Sequence, residues 1–497
     1  PDADIEDGGD NPDAYSVTYG FASGAIGHLI ISRLRKTFWG DTYHDLMWDR
    51  GHLKIAADNP VAYYYDGPYP PPEGKVDPDA LRHFRWHWAR GEPIVVREIE
   101  VAGAGADWSL ETLERALRDG DDAAGDDATG GGDTSGRGAT RTCTDRMVPV
   151  VDACKEWGAG VRSGAVAEAM TVGDFFKGFA DGRTFGPDAT YRMDGWPSEA
   201  ELRVRAPRHV SYAIGGLPFQ EYTNPVDGPM NLRTHVSANA GGLNGDGASF
   251  GAGGGCVRTR IAYGRREEVG GAGDAVSQRL RTSSVDTAEV LCLALSSTSA
   301  CDERDDAREG RDGSYPDGVG RTGDESPGAV WHVFRREHEG HIARYLSENL
   351  PVLAHPPDGD RRNHHNREHR DSANDKQRAL AARLPLHDGR CFLSSNEIDE
   401  LGRESGGAVK PWVIRQARFE AVMVPAGCAR QTRNVKSCVA LAVDFASPES
   451  AVTALRVGEA MRELPVKHAE RTREGVHART TVLHAAHAAV TRLEAGE

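Results

Sequence analysis

The 497-residue sequence predicts a mainly β, α+β fold: a jelly roll or barrel with decorating helices and long disordered insertions. Three observations carry this reading. Short runs of β-branched and aromatic residues recur between Gly/Pro turn signals. Few segments show helical periodicity. Three long stretches are too polar to offset the entropy of ordering them. A composition of 39% hydrophobic and 27% charged residues, with a mean hydropathy of −0.53, fits a real core diluted by such insertions.

The elements follow in order. Residues 1–80 read as an N-terminal extension, partly helical. LRHFRWHWAR (81–90) reads as an aromatic-rich helix whose Phe84, Trp86 and Trp88 pack it on the barrel. PIVVREIEV (93–101) alternates and reads as a strand. Residues 102–145, 297–327 and 355–380 are the insertions, read as surface excursions without a core, and Gly-rich 240–255 is a milder loop. Residues 328–350 read as a helix with Val330, Phe334, Ile342, Tyr345 and Leu346 toward the core. Strand-like runs are RIAYG (260–264), AEVLCLAL (288–295), RCFLSS (390–395), FEAVMVPAG (419–427) and SCVALAVDF (437–445). Pro425, Ala426 and Gly427 read as a tight turn. Ser447, Pro448 and Glu449 read as an N-cap, a first-turn proline and a first-turn acid. The folded unit is 81–465, and 466–497 is a C-terminal helical segment.

Composition also excludes classes. The 75 acidic residues outnumber the 59 basic ones, for a net charge of −16, so a broad basic footprint for wrapping nucleic acid is absent. Eight cysteines with no CxxC pair are neither a disulfide scaffold nor a zinc finger, and a reducing compartment is the default. The longest apolar candidate for a membrane span, Ala22 to Leu34, is broken by Ser23, Gly24, His28, Ser32 and Arg33. The sequence opens at Pro1 rather than Met, so the lack of a leader carries no weight. Residues 240–255 lack the Lys-Ser/Thr of a P-loop, and no GxSxG elbow occurs.

Several blocks then occur in a telling order: HFRWHWARGEPIVVR (83–97), FFKGF (175–179), LPFQEYT (217–223), MNL (230–232), RIAYG (260–264), GAVWHVFRRE (328–337), PLHDGRCFL (385–393) and VMVPAGCARQTRNVKSCVALAVDFASPE (422–449). Together they resemble the JmjC-domain histone H3 lysine-9 demethylase family across 83–465. The resemblance implies a double-stranded β-helix, a cupin-like jelly roll. It implies Fe(II) held by a His-x-Asp pair and a distant His, and 2-oxoglutarate and O₂ used to hydroxylate an N-methyl group. It implies nuclear localisation and a histone tail or chromatin proteins as partners; charge and hydropathy point to no direct sequence-specific nucleic-acid binding and no membrane.

The sequence departs from the family where the iron would sit. The family's first ligand segment aligns with QRLRTSSVDTAEVL (278–291), anchored on Leu280, Asp286, Val290 and Leu291. This puts Arg281 at the ligand His and Ser283 at the ligand Asp. The second segment aligns without a gap with PAGCARQTRNVKSC (425–438), putting Arg430 at the distant His. Arginine has no lone pair to donate and stays charged. Gln278 stands where a Thr often contacts the cosubstrate, and Glu289 replaces a family Asn; with Asn434 and Lys436 they are the cosubstrate-pocket candidates. No other residues rebuild the site convincingly. His235 is a lone histidine, His338 and His341 read as a helix surface, and His364, His365 and His369 lie in a charged insertion. His468 and Glu470, at i and i+2 on a helix, diverge.

Three readings stay open. The first is a catalytically inactive pseudoenzyme, with no metal or cofactor expected, acting as a chromatin binding or scaffold module in transcription regulation. The second is an active Fe(II)/2-oxoglutarate demethylase with non-standard ligands. In the third, Arg281 and Arg430 converge on an anion; its bland counterpart has Glu289 or Asp286 neutralise them. The alignment predicts that Arg281, Ser283 and Arg430 lie close together at one mouth of the barrel.

Overall fold

In the computed structural model the described residues are 78–100, 107–118, 146–152, 168–181, 191–193, 196–236, 256–264, 276–295, 327–353, 384–387, 389, 391–464 and 477–495, with the backbone of strands between Ile5 and Tyr65. Twelve strands build the main body. They are β1 (Ile94–Val96), β2 (Met147–Asp152), β3 (Glu168–Thr171), β4 (Tyr191–Met193), β5 (Cys256–Ala262) and β6 (Val276–Arg281). There follow β7 (Asp286–Leu295), β8 (Ala329–Val333), β9 (Trp412–Gln416), β10 (Ala421–Val424), β11 (Arg430–Asn434) and β12 (Ser437–Phe445). The major sheet runs β3-β2-β4-β5-β12-β7-β10-β1, and a four-stranded minor sheet runs β6-β11-β8-β9. This two-sheet arrangement is a jelly roll. Before Pro78 the assigned elements are strands, of which Tyr63–Tyr65 runs parallel beside β1.

Strand periodicity separates the two faces of the major sheet. Ile94, Val96, Ile261, Ala288, Val290, Met423, Leu441 and Val443 join the large outer core beneath the helices. Their neighbours Val95, Val422 and Val424 face the minor sheet and meet Trp331, Val333, Trp412 and Ile414 in a separate apolar cluster. Helix α1 (Pro78–Ala89) closes the outer core: Phe84 stacks on Phe219 at 4.1 Å, and Trp88 on Phe445 at 5.7 Å. Trp86, expected to pack with them, is instead 53% exposed under the Arg90 guanidinium. Two residues from Trp88, it points to the opposite side of the helix.

Three expectations change. Within 102–145, α2 (Leu110–Arg118) is a regular helix whose Leu113 and Leu117 are buried, preceded by buried Trp108 against His209. Its leucines recur at helical spacing, a signal masked by the Gly/Asp-rich flanks. Residues 102–106, 119–145, 240–255 and 355–380 lie outside the described residues, as does all of 297–327 except Pro327. The helix expected over 328–350 begins as strand β8 and becomes helical in α3 (Glu339–Leu353). Trp331 and Val333 are buried and Val330 is not, as period two requires. RCFLSS is no strand: Ser394 caps the helix Ser395–Glu404 in a reciprocal box with Glu397.

One carboxylate ties these parts together. Asp286, fully buried at the start of β7, accepts from the Ala426 backbone N–H at 2.7 Å. Its other oxygen accepts from the Ser447 N–H and hydroxyl, both at 2.7 Å. Ser447 Oγ in turn accepts from Trp88 Nε1 at 2.9 Å. Ser447 therefore heads the 3-10 turn Pro448–Ser450 without capping it by its own hydroxyl. Beside it, Gly427 at φ +82° donates to the Ser283 carbonyl at 2.9 Å, and a Cβ there would lie 2.3 Å from Thr453 Cγ2.

Replacing Asp286 with Ala strands two backbone N–H groups in the interior. The expected loss is about 2–6 kcal/mol, from roughly 1–3 per unpaired buried group, read as a lowered urea midpoint. A second outcome concerns pH. Burial, helped by the Arg433 charge, pulls the His332 imidazole down to about 4. The unfolded chain takes up that proton near pH 6.5, so the stability present above 6.5 falls as pH drops toward about 4, by at most about 1.4 kcal/mol per unit. Urea titrations across pH 4–7 should show this slope, diminished in His332→Gln.

Candidate functional site

The space between the sheets is apolar at one end and polar at the other. On the polar side, β5 contributes Arg258 and Arg260, β7 contributes Thr287 and Glu289, and β12 contributes Ala442 and Asp444. Their register confirms one face: Ala442 pairs with Arg258 on one side and Glu289 on the other. The minor sheet supplies Gln278 and Arg281 from β6 and Arg430, Thr432 and Asn434 from β11.

Arg281 and Arg430 are direct cross-strand partners. They are 7% and 2% exposed, so two guanidiniums from distant parts of the chain share one buried position. Arg430 Nη2 donates to Thr287 Oγ1 at 2.9 Å. Thr287 donates to Asp444 Oδ1 at 3.0 Å, and Arg258 Nη2 donates to the same oxygen at 2.5 Å. Burial followed by the Arg281 charge pulls the Arg430 guanidinium down to about 10, which still leaves it a cation at neutral pH. Burial pushes Asp444 up, but the charges of Arg258, Arg233 and Arg430 outweigh it and hold the carboxyl below its usual range.

Arg260 is the second anchor. It pairs with Glu289 and lies 5.4 Å from the Trp331 ring centre. Gln278, with its amide oxygen turned toward Arg260, accepts from Nη1 at 2.7 Å. Burial raises the Glu289 carboxyl, against the pull of Arg260 and the other three facing arginines. Of the two acids expected to neutralise Arg281 and Arg430, Asp286 is spent on Ala426 and Ser447, and Glu289 is held by Arg260. Asp444, Thr287, Arg258 and Arg260 were missed from sequence. Their signal was a charged pair at i,i+2 in RTRIAYG and a single acid inside the apolar run VALAVDF.

The other candidates have partners of their own. Ser283 is in the turn before β7, where its carbonyl takes the Gly427 N–H and its hydroxyl accepts from Val285 N–H at 3.2 Å. Asn434 donates to the Ala262 carbonyl at 3.4 Å, and Lys436 lies in the β11–β12 hairpin with its backbone against Gly328. At about 3.3 Å per residue these two lie roughly 13 and 20 Å along the chain from Arg430. His235 lies in a short 3-10 helix, where burial, followed by the charge of Arg492 on α4 (Ala478–Ala495), lowers its imidazole. His338 ends the 3-10 turn before α3, and His341 lies in the first turn of α3. His364, His365, His369 and His468 fall outside the described residues.

The donor set here does not fit a divalent iron. Guanidinium groups offer N–H donors and positive charge where a metal needs lone pairs. Among the described residues no group of three or more His, Cys, Asp or Glu could hold a metal. Removing one partner of the Arg260–Glu289 pair leaves a buried charge exposed to its like neighbours. Glu289→Ala should therefore cost about 3–5 kcal/mol, whereas the double change Glu289→Leu with Arg260→Met should recover most of it. Unfolding midpoints of the single and double variants measure this.

No family model matches the chain. Curated relatives do. Lysine-specific demethylase JMJ29 of Arabidopsis thaliana is 28% identical over 80% of this chain and 42% of its own length. JMJ26 of the same plant, also a lysine-specific demethylase, is 27% identical over 84% of the chain and 43% of its length. Human lysine-specific demethylase 3A is 23% identical over 68% of the chain and 23% of its length. The chain thus spans less than half the length of each of these three. With its jelly roll and its ordered sequence blocks, the chain is a homologue of the JmjC lysine demethylases over most of its length.

Proposed function

We propose that this chain is a JmjC-type chromatin module that has lost iron catalysis and works by binding. The observation that supports this is the buried Arg281–Arg430 pair on neighbouring strands, where alignment with the family puts two of the iron ligands. Ser283, at the third ligand position, has its carbonyl and hydroxyl engaged within the turn. Two fixed positive charges in a partly dry cavity repel a dication more strongly than they would in water. Oxygen activation needs bound iron, so turnover should vanish with binding rather than slow. The relatives' lysine-demethylase names support histone tails or other chromatin proteins as partners, and a nuclear location. Among the described residues no helix is long and apolar enough to cross a membrane.

The test is elemental analysis of the purified chain after Fe(II) loading, with succinate production on methylated histone H3 peptides. The expected result is no retained iron and no succinate above background. Stoichiometric iron with robust succinate would sink this reading in favour of an active demethylase with non-standard ligands. The triple change Arg281→His, Ser283→Asp and Arg430→His should restore iron binding. Demethylation need not return with it, because Gln278 and Glu289 remain locked on Arg260.

A further inference from the structure

We propose that the arginine-lined end of the barrel is a binding site for a small oxyanion, a carboxylate or a phosphate, seated against the guanidiniums of Arg430 and Arg281. This rests on the reading that iron no longer occupies that end.

Arg430 carries the argument. Its side chain is buried inside the barrel, and one of its two terminal nitrogens, Nη2, is satisfied by Thr287. The other, Nη1, has no hydrogen-bond partner among the described residues. Buried polar groups are nearly always paired, and a charged one left bare is among the more costly exceptions. The Asp444 charge attracts the guanidinium, but no described residue hydrogen-bonds Nη1. The cross-strand neighbours of Arg430 are Val333, which is apolar, and Arg281, which repels it. The two carboxylates on the facing strands are engaged, Asp444 by Arg258 and Thr287, and Glu289 by Arg260. On the opposite sheet the small, apolar Ala442 lies between Arg258 and Glu289 and offers Nη1 no acceptor side chain.

An oxyanion answers each of these features. Its oxygens accept from Nη1, and guanidinium forks bind carboxylate and phosphate in bidentate fashion. Its charge converts the Arg281–Arg430 repulsion into two attractions in a low-dielectric cavity. Both groups satisfy the same donors, so the chemistry is shared and the source is a matter for titration.

The experiment uses the full chain. Thermal unfolding and isothermal titration are run with sodium phosphate, with sodium acetate, and with sodium chloride at matched ionic strength. Phosphate, acetate or both should raise the unfolding temperature where chloride does not; which of them does so identifies the preferred group. Arg430→Met exchanges a buried, incompletely paired cation for an apolar side chain, so it should fold. It should weaken oxyanion affinity at least about tenfold, the worth of roughly one charge-assisted hydrogen bond. Arg281→Lys keeps the charge but loses the fork, and should also weaken binding. It decides the matter if Arg430→Met does not fold. Failure of both oxyanions to stabilise the unmodified chain beyond chloride, or full binding by the folded variants, overturns the proposal. A chain that retains no iron and ignores oxyanions defeats this inference alone. A chain that retains iron defeats the proposed function as well.

Discussion

The structure depends on a carboxylate in the interior. Asp286 lies where three segments meet: the start of β7, the turn at Ala426 and the exit from β12 at Ser447. None of these is near the others in sequence. Its hydrogen bonds satisfy backbone N–H groups that would otherwise be buried bare, and Ser447 relays the connection to Trp88 on α1. Burial pushes this carboxyl up, and the hydrogen bonds from Ser447 and Ala426 pull it back. The turn it fixes is the one that delivers Arg430 into the barrel. Gly427 in the same turn grips Ser283, which fixes the loop following Arg281. The positions of both arginines thus descend from one acid that touches neither.

The barrel interior shows which electrostatic effects prevail. Cations outnumber the facing acids, yet the acids are placed so that each holds one arginine closely and screens others. Arg260 is held by Glu289, Gln278 and the Trp331 face, and Arg258 by Asp444. Arg430 is left with the Thr287 hydroxyl, the more distant pull of Asp444 and the like charge of Arg281. A buried ion pair is weak support for stability, because desolvation consumes most of the attraction. The cost of this arrangement makes sense if position, rather than stability, is what the charges supply.

Much of the fold was legible in the sequence, for physical reasons that also explain what was not. SCVALAVDF matches β12 residue for residue because both faces of a central strand are buried and the run is apolar apart from Ser437 and Asp444. Arg281 and Arg430 were legible because the blocks around them are long and ordered. Their cross-strand pairing is a fact of register that no local pattern encodes. The 328–350 segment misled because AVWHV and the helix after it share apolar spacing over a short window, and only burial separates period two from period 3.6. Trp86 misled because aromatic richness says nothing about which side of a helix a ring takes. Arg258, Arg260 and Asp444 were overlooked as ordinary charges, although alternation within a strand sends them to the inner face.

The minor sheet brings together strands from opposite ends of the barrel sequence: β6 beside β11, and β8 between β11 and β9. Such pairings close loops of many residues, and the entropy of closing a flexible loop grows only with the logarithm of its length. Each doubling costs about 0.6 kcal/mol. The polar stretches at 297–327 and 355–380 fall inside these closures, between β7 and β8 and between α3 and β9. Lengthening them therefore changes the folding free energy little, while the barrel's paired strands set the geometry. The topology that delays folding by demanding distant contacts is also the one that lets this chain carry so much polar sequence between its strands.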